Sequence, residues 1–332
     1  MPPSSTAAVS SPHDALFKAI FEQPDRAAGE LQAVLPTALA AQLDWSSLAL
    51  QPGSFVDPDL VGRHTDLLFQ VGVVGGGSVQ LFFLFEHQST VDPLMAFRVG
   101  RYMVRIWERW LDTNKGARVL PAIIPIVLFH GPGGWSAPTE LSELIDLGPT
   151  LAAAAAPLLP RLRFLLDDLS ASSDTELRAR AMEASAKLVL LSLKHARDRP
   201  DELEERVAEW IDLVGDVLAA PHGLQALATV MRYILEVGGP TVLEHLRERF
   251  VPVLGPRAEE AMITAAQVLR EEGRQEGRQE GQRDLLTRLL IVRFGGVPAW
   301  ATAKVQAADA GSLGRWAERV VLAAQIEDVF AE

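Results

Sequence analysis

Two short apolar runs stand out in the first third of the chain, Leu67-Leu68-Phe69-Gln70-Val71-Gly72-Val73 and Val79-Gln80-Leu81-Phe82-Phe83-Leu84, with Gly75-Gly76-Gly77 between them. Runs of this length bounded by turn residues read as buried strands, and the glycines join them as a hairpin. Asp66 opens the first run, and Glu86 follows the second in Phe85-Glu86-His87-Gln88. Folding at the glycines brings the start of one strand beside the end of the other, so Asp66 and Glu86 are expected to be neighbours. Because strand side chains alternate, Glu86 and Gln88 take one direction and His87 the other. Two carboxylates and a backbone carbonyl at a strand end suit Mg²⁺, which prefers oxygen ligands.

The pattern then turns helical. Between Pro93 and Leu111, Met95, Val99, Tyr102, Met103, Ile106 and Trp110 recur at helix spacing and mark a buried face. Arg98, Arg101, Arg105 and Arg109 form a second stripe, which either grips successive phosphates of DNA or is an ordinary solvated face. A shorter helix is expected from Asp14 to Phe21, where Asp14 is either its cap or a further acid of the site. Leu120 to Phe129 reads as a buried strand, at an edge or irregular at its start, since Pro121 and Pro125 cannot donate to a ladder. Arg161 to Leu169 favours a strand over a short helix, with Asp167 and Asp168 in a cap or turn. Helical periodicity covers Asp174 to His195, Asp201 to Leu218, His222 to Glu236 and Val242 to Phe250. The sum is an α/β core followed by an α-helical extension.

Arg270-Glu271-Glu272-Gly273-Arg274-Gln275-Glu276-Gly277-Arg278-Gln279-Glu280-Gly281 repeats every four residues. As coil it would be a charged linker. As helix, which the apolar flanks favour, it sets Gly273, Gly277 and Gly281 in a stripe at a cost of about 1 kcal/mol per glycine. That cost is most readily offset by close packing against a second helix, and a homodimer crossing near Gly277 is expected. The predicted units are a mobile tail (1–11), the core (12–172), a helical extension (173–255), the glycine-repeat helix or linker (256–291) and a small helical domain (292–332).

Composition narrows the class. The 332 residues are 48% hydrophobic, enough for a sizeable core, and contain no cysteine, so disulfides and thiolate zinc sites are excluded. His64, His87 and His130 lack metal-ligand spacing such as His-Glu-x-x-His. No signal peptide or membrane span is evident, and a soluble cytoplasmic protein is expected. The formal net charge is −12, and residues 11–112 carry 7 basic against 12 acidic side chains. Bulk charge would not draw this chain onto a polyanion, so DNA binding would depend on the arginine stripe, a metal or a multimer.

The order of these segments resembles the PD-(D/E)XK nucleases, and more narrowly the recombination-promoting nuclease (Rpn) family. The matching residues are Pro12-His13-Asp14-Ala15-Leu16-Phe17-Lys18, Pro52-Gly53-Ser54-Phe55-Val56, the Asp66 segment and Glu86-His87-Gln88-Ser89-Thr90. Met95-Ala96-Phe97-Arg98, Tyr102 and Leu120 to Gly131 follow in order. The resemblance implies a restriction-endonuclease-like core and Mg²⁺-dependent DNA cleavage, with Mn²⁺ as an alternative ion. It further implies Asp66 and Glu86 as metal ligands, Gln88 at the usual lysine position, and Asp14 as a contributing acid. Glutamine there is expected in the Rpn family. A neutral amide can orient water but supplies no positive charge, so weak catalysis follows.

Overall fold

The computed structural model describes residues 11–52, 65–86, 91–198, 202–239 and 241–331; at 65, 66, 80–86, 149, 152, 197 and 198 it describes the backbone alone. The chain opens with α1 (Pro12–Phe21), α2 (Pro24–Val34) and α3 (Thr37–Ala40). Next come β1 (Leu43–Leu50), β2 (Thr65–Val73), β3 (Ser78–Glu86), α4 (Met95–Thr113) and β4 (Ile123–Phe129). The short α5 (Pro149–Ala155) precedes β5 (Leu165–Asp168). The five strands form one mixed sheet in the order β1-β2-β3-β4-β5, antiparallel from β1 to β3 and parallel from β3 to β5. Parallel neighbours need a crossover, and α4 supplies it between β3 and β4.

Alternation along the strands sorts the two faces. Leu68 of β2 and Val127 of β4 pack with Met95, Val99, Tyr102 and Ile106 of α4. Leu67, Phe69 and Val71, at the intervening positions of β2, are buried on the opposite side. β4 lies inside the sheet and begins only at Ile123, past Pro121, so of the two readings its prolines allowed the edge is corrected and the irregular start stands. Pro125 is tolerated because β5 pairs with β4 only from Ile126 onward, so at position 125 the strand has a neighbour on one side alone.

After β5 the chain is helical: α6 (Asp174–Ala179), α7 (Ala184–Asp198), α8 (Leu203–Glu209), α9 (Ile211–Ala219), α10 (Gly223–Gly238) and α11 (Val242–Leu254). The single helix expected from Asp174 to His195 is two, because Arg180 leaves the helical region (φ −57°, ψ 140°). α7 is the centre of this layer; Leu188, Val189, Leu190, Leu191 and Leu193 are all fully buried. Five buried apolar residues within one stretch of six mean that this part of the helix is covered on more than one face.

Arg180 leaves its helix to enter the core. Its guanidinium donates to both Glu30 oxygens of α2 at 2.8 and 2.9 Å, and to both Asp167 oxygens of β5 at 2.7 and 2.8 Å. Asp167 therefore belongs to a buried ion network, not to the cap or turn its sequence suggested. Glu30 is fully buried, and burial, reinforced by the Asp167 charge, pushes its carboxyl well above the ordinary range. Burial would also raise Asp167, but the hydrogen bonds from Arg180 and Glu30 outweigh it and hold that carboxyl below its usual value.

The chain divides into two compact units, residues 11–265 and 266–331 among those described. α12 (Pro256–Phe294) is one continuous 39-residue helix, so the glycine repeat is helical and not a coil linker. With α13 (Ala299–Ala307), α14 (Ala310–Leu322) and α15 (Ile326–Val329) it builds a separate small core from Leu286, Leu290, Val305, Leu313, Val320 and Phe330. Arg283 donates to the Ala308 carbonyl at the end of α13, and Arg293 to Ala323 at the end of α14. Both cations satisfy carbonyls that helix ends leave open.

The buried network sets a pH dependence. Glu30, raised in the fold, contributes stability that is full below its unfolded pKa of about 4.3 and is lost as pH rises through the folded value. Asp167, lowered in the fold, contributes above about 3.9 and loses that contribution as pH falls. Glu30→Gln should therefore flatten the decline in melting temperature between mildly acidic and alkaline pH. Parallel melting curves for the variant and the parent would refute this protonation pattern. Arg180→Met, which strands two buried carboxyls, should cost about 3–5 kcal/mol in urea denaturation.

Candidate active site

The hairpin forms as the sequence indicates. Gly75, Gly76 and Gly77 all adopt positive φ (97°, 113° and 91°), a region costly for other residues, and turn β2 into β3. The register pairs Thr65 with Phe85 and Asp66 with Leu84, so Glu86 lies two residues beyond the partner of Asp66. Across the sheet, Glu86 pairs with Phe129, and Phe129 with Asp168. The start of β2 and the ends of β3, β4 and β5 thus lie along one border of the sheet. Positions 66 and 86 fall in the same alternation class, that of Leu68 and Val127 on the α4 face. Gln88, together with His87 and His64, lies outside the described residues.

Asp14 is placed differently. Ser11, not Asp14, caps α1, its hydroxyl accepting from the Asp14 N–H at 3.3 Å. Asp14 itself is buried, on a helix that packs against α2, β2, α7 and α10. Beside it His13 is hydrogen-bonded through Nδ1 to the Tyr233 hydroxyl at 2.7 Å and lies 5.2 Å from the His130 ring, centroid to centroid. His130 follows β4 and is buried, its Nδ1 3.1 Å from the Leu193 carbonyl of α7. A carbonyl only accepts, so Nδ1 carries a proton and donates to it. His13, His130 and Tyr233 tie the strand ends to the helical layer. Only folding joins residues this far apart, and no local sequence signal marks the set.

Asp168 closes the loop after β4. Its carboxylate accepts from the Trp135 N–H at 2.8 Å and from the Ser170 N–H and hydroxyl at 3.0 and 2.7 Å. Trp135 in turn packs edge-on against Phe129, at 5.2 Å. Among the described residues no group of three or more His, Asp or Glu side chains is arranged to hold a metal ion.

The arginine stripe of α4 splits into unlike members. Arg98 is pinned by Asp92 at 2.6 Å, while Asp92 also accepts the Leu94 N–H at the start of the helix. Arg105 is exposed and pairs with Glu108 at 3.1 Å. Arg101 is exposed, and Arg109 is half-buried with one guanidinium nitrogen lacking a hydrogen-bond partner among the described residues. Exposed positions here also include Phe97, Val104 and Leu111. Among the described residues no helix is long and apolar enough to cross a membrane.

Residues 11–247 match the family described as "Putative transposase, YhgA-like". The chain is 32% identical over 273 residues to "Recombination-promoting nuclease RpnA" of Escherichia coli (strain K12), covering 80% of this chain and 85% of that protein. It is 31% identical to "Recombination-promoting nuclease RpnD" of Escherichia coli O157:H7, covering 80% and 96%. It is also 30% identical to "Inactive recombination-promoting nuclease-like protein RpnE" of Escherichia coli (strain K12), covering 80% and 83%. No solved structure matches.

The split within the stripe has a measurable consequence. Arg98→Ala removes a half-buried ion pair and should destabilise by about 1–3 kcal/mol in urea denaturation, whereas Arg101→Ala should stay within about 0.5 kcal/mol. Equal effects would mean that Arg98 is not the anchored member.

Proposed function

The chain belongs to the YhgA-like transposase family, and from that membership we propose that it is a metal-dependent DNA endonuclease on a restriction-endonuclease-like core. The supporting observation is the β2–β3 register, which sets the backbone of Asp66 at the start of one strand close to Glu86 at the end of the next. The donor chemistry fits the ion: both groups are carboxylates, and oxygen donors are what Mg²⁺ or Mn²⁺ take. Asp66 and Glu86 would hold it, with Asp14 as a further acid acting from the α1 layer. The ion would supply a Lewis acid for the phosphate and lower the pKa of water. Gln88 orients the water by hydrogen bonding. The water oxygen adds to phosphorus as one P–O ester bond breaks, leaving a phosphomonoester and a hydroxyl. Arg101 and Arg105, with Arg98 and Arg109 beside them, hold the DNA backbone. A second reading is a non-catalytic DNA-binding or assembly protein of the same fold. It is favoured by Gln88 where a lysine would supply charge, and by a relative whose name calls it inactive.

We also propose a homodimer through α12. A methyl group at Gly273, Gly277 or Gly281 would meet nothing within 4 Å, so the chain leaves this stripe open. The charges around it are antisymmetric about Gly277: Glu276 mirrors Arg278, Arg274 mirrors Glu280, Glu271 mirrors Arg283 and Arg270 mirrors Asp284. In a two-fold antiparallel pair centred on Gly277, each of these charges meets its opposite, the self-complementarity an isologous interface requires.

Plasmid nicking with Mg²⁺ tests the site. Asp66→Ala or Glu86→Ala should abolish cleavage without lowering thermal stability in metal-free buffer, since each removes one of two neighbouring like charges. Nicking by both variants at the parent's rate would remove the assignment, and a folded parent that binds DNA without nicking it would favour the second reading. For assembly, Arg274→Glu with Arg278→Glu should give a monomer by light scattering at micromolar concentration, and adding Glu276→Arg with Glu280→Arg should restore the dimer. A monomeric parent, or a quadruple variant that stays monomeric, would exclude the antiparallel pair.

A further inference from the structure

The C-terminal unit carries a cleft of about 630 Å³ that the nuclease reading leaves without a role. α13 contributes Lys304 to its wall; α14 contributes Ser312, Arg315, Trp316 and Arg319 on one helical face; Phe330 also lines it. Three cations thus converge in a chain of net charge −12. Their partners do not cancel them. Lys304 stands over the rings of Trp300 and Phe330, its Nζ 5.9 and 5.8 Å from the centroids. Arg315 donates to the Ser312 hydroxyl at 2.9 Å, and Arg319 to the Ala331 carbonyl. The one acid in the lining, Asp309, accepts the Ser312 N–H at 2.6 Å, which caps α14, and keeps its charge, so the cations outnumber the acids three to one. That backbone bond, with the Ser312 side chain and Arg315 assisting, holds its carboxyl below the usual range.

The aromatic groups complete the chemistry. Phe330 lies edge-on between Trp300 at 5.3 Å and Trp316 at 4.8 Å, and Trp300 is 42% exposed. Cations around aromatic faces are what a single-stranded nucleic acid engages, its phosphates by charge and its unstacked bases by ring contact. A duplex keeps its bases stacked and could not reach the rings. The cleft volume also falls in the range of small-ligand sites, enough for about one nucleotide.

We propose that this cleft is a second nucleic-acid contact of the protein. It takes a nucleotide of a single strand, with the phosphate among Lys304, Arg315 and Arg319 and the base beside Trp316. The site is separate from the border of the sheet, and its occupancy needs neither metal nor cleavage.

The test is fluorescence anisotropy of a labelled oligothymidine strand with the full chain in EDTA, titrated across salt. Lys304→Gln with Arg315→Gln should weaken binding about tenfold and lower the log–log salt slope by about 0.7 for each phosphate no longer neutralised. Arg288→Gln, at an exposed position of α12 outside the cleft, should leave both unchanged. The proposal fails if the parent does not bind the strand or if the double variant matches it. It fails equally if Arg288→Gln weakens binding as much, making net charge the whole effect, or if polyglutamate competes as well as the oligonucleotide, making the cleft an acidic-peptide site. Because nicking is not the readout, an inactive sheet-border site would leave this result intact.

Discussion

Arg180 is the joint on which the larger unit closes. It is held by four hydrogen bonds to two carboxyls on elements far apart in the chain, α2 and β5. A guanidinium in a dry interior is costly unless its donors are matched, and the planar fork matches two carboxyl groups at once. Beside it the backbones come very close. A methyl group at Gly29 would overlap Cβ of Met182, so only glycine lets α2 approach the turn that carries Arg180. The network thereby fixes β5 against the helical layer, and β5 borders β4, whose end carries Phe129 and His130.

From that joint the candidate site inherits its rigidity. The β2–β3 hairpin is anchored on one side by α4 and on the other by α1, while His130 reaches through the sheet border to the Leu193 carbonyl of α7. The fully buried leucines of α7 hold that acceptor carbonyl in a packed layer. The polar groups gathered under the strand ends therefore stand on packed elements, while the arginines that face solvent belong to one side of α4 alone.

Charge is matched locally. The chain as a whole is acidic, and two of the four α4 arginines are occupied by Asp92 and Glu108. Attraction to a polyanion must come from small places where cations outnumber acids, since exposed charges farther apart than about 8–10 Å are screened at ordinary ionic strength. The proposed C-terminal cleft is a local solution of this kind, and it lies in the smaller unit.

The hairpin, α4 and the continuity of α12 were legible along the chain, because they depend on short-range period, turn glycines and helix-forming flanks. So was the placing of Asp66 and Glu86 at neighbouring strand ends, since a hairpin of known turn fixes its own register. Neither β1 nor α2 was, because their burial depends on what covers them, nor was the place of β4 inside the sheet despite Pro125. The position of β4 was set by its partners: β5 is too short to need the donor that Pro125 lacks. Asp167 reads as a turn residue along the chain and became half of a buried ion network only when folding brought Glu30 and Arg180 beside it. The same holds for His13, His130 and Tyr233, which are 117 and 103 residues apart in succession. Local pattern specifies which residues form an element; which charges can be buried depends on partners that only folding delivers, because a buried charge without one would be too costly.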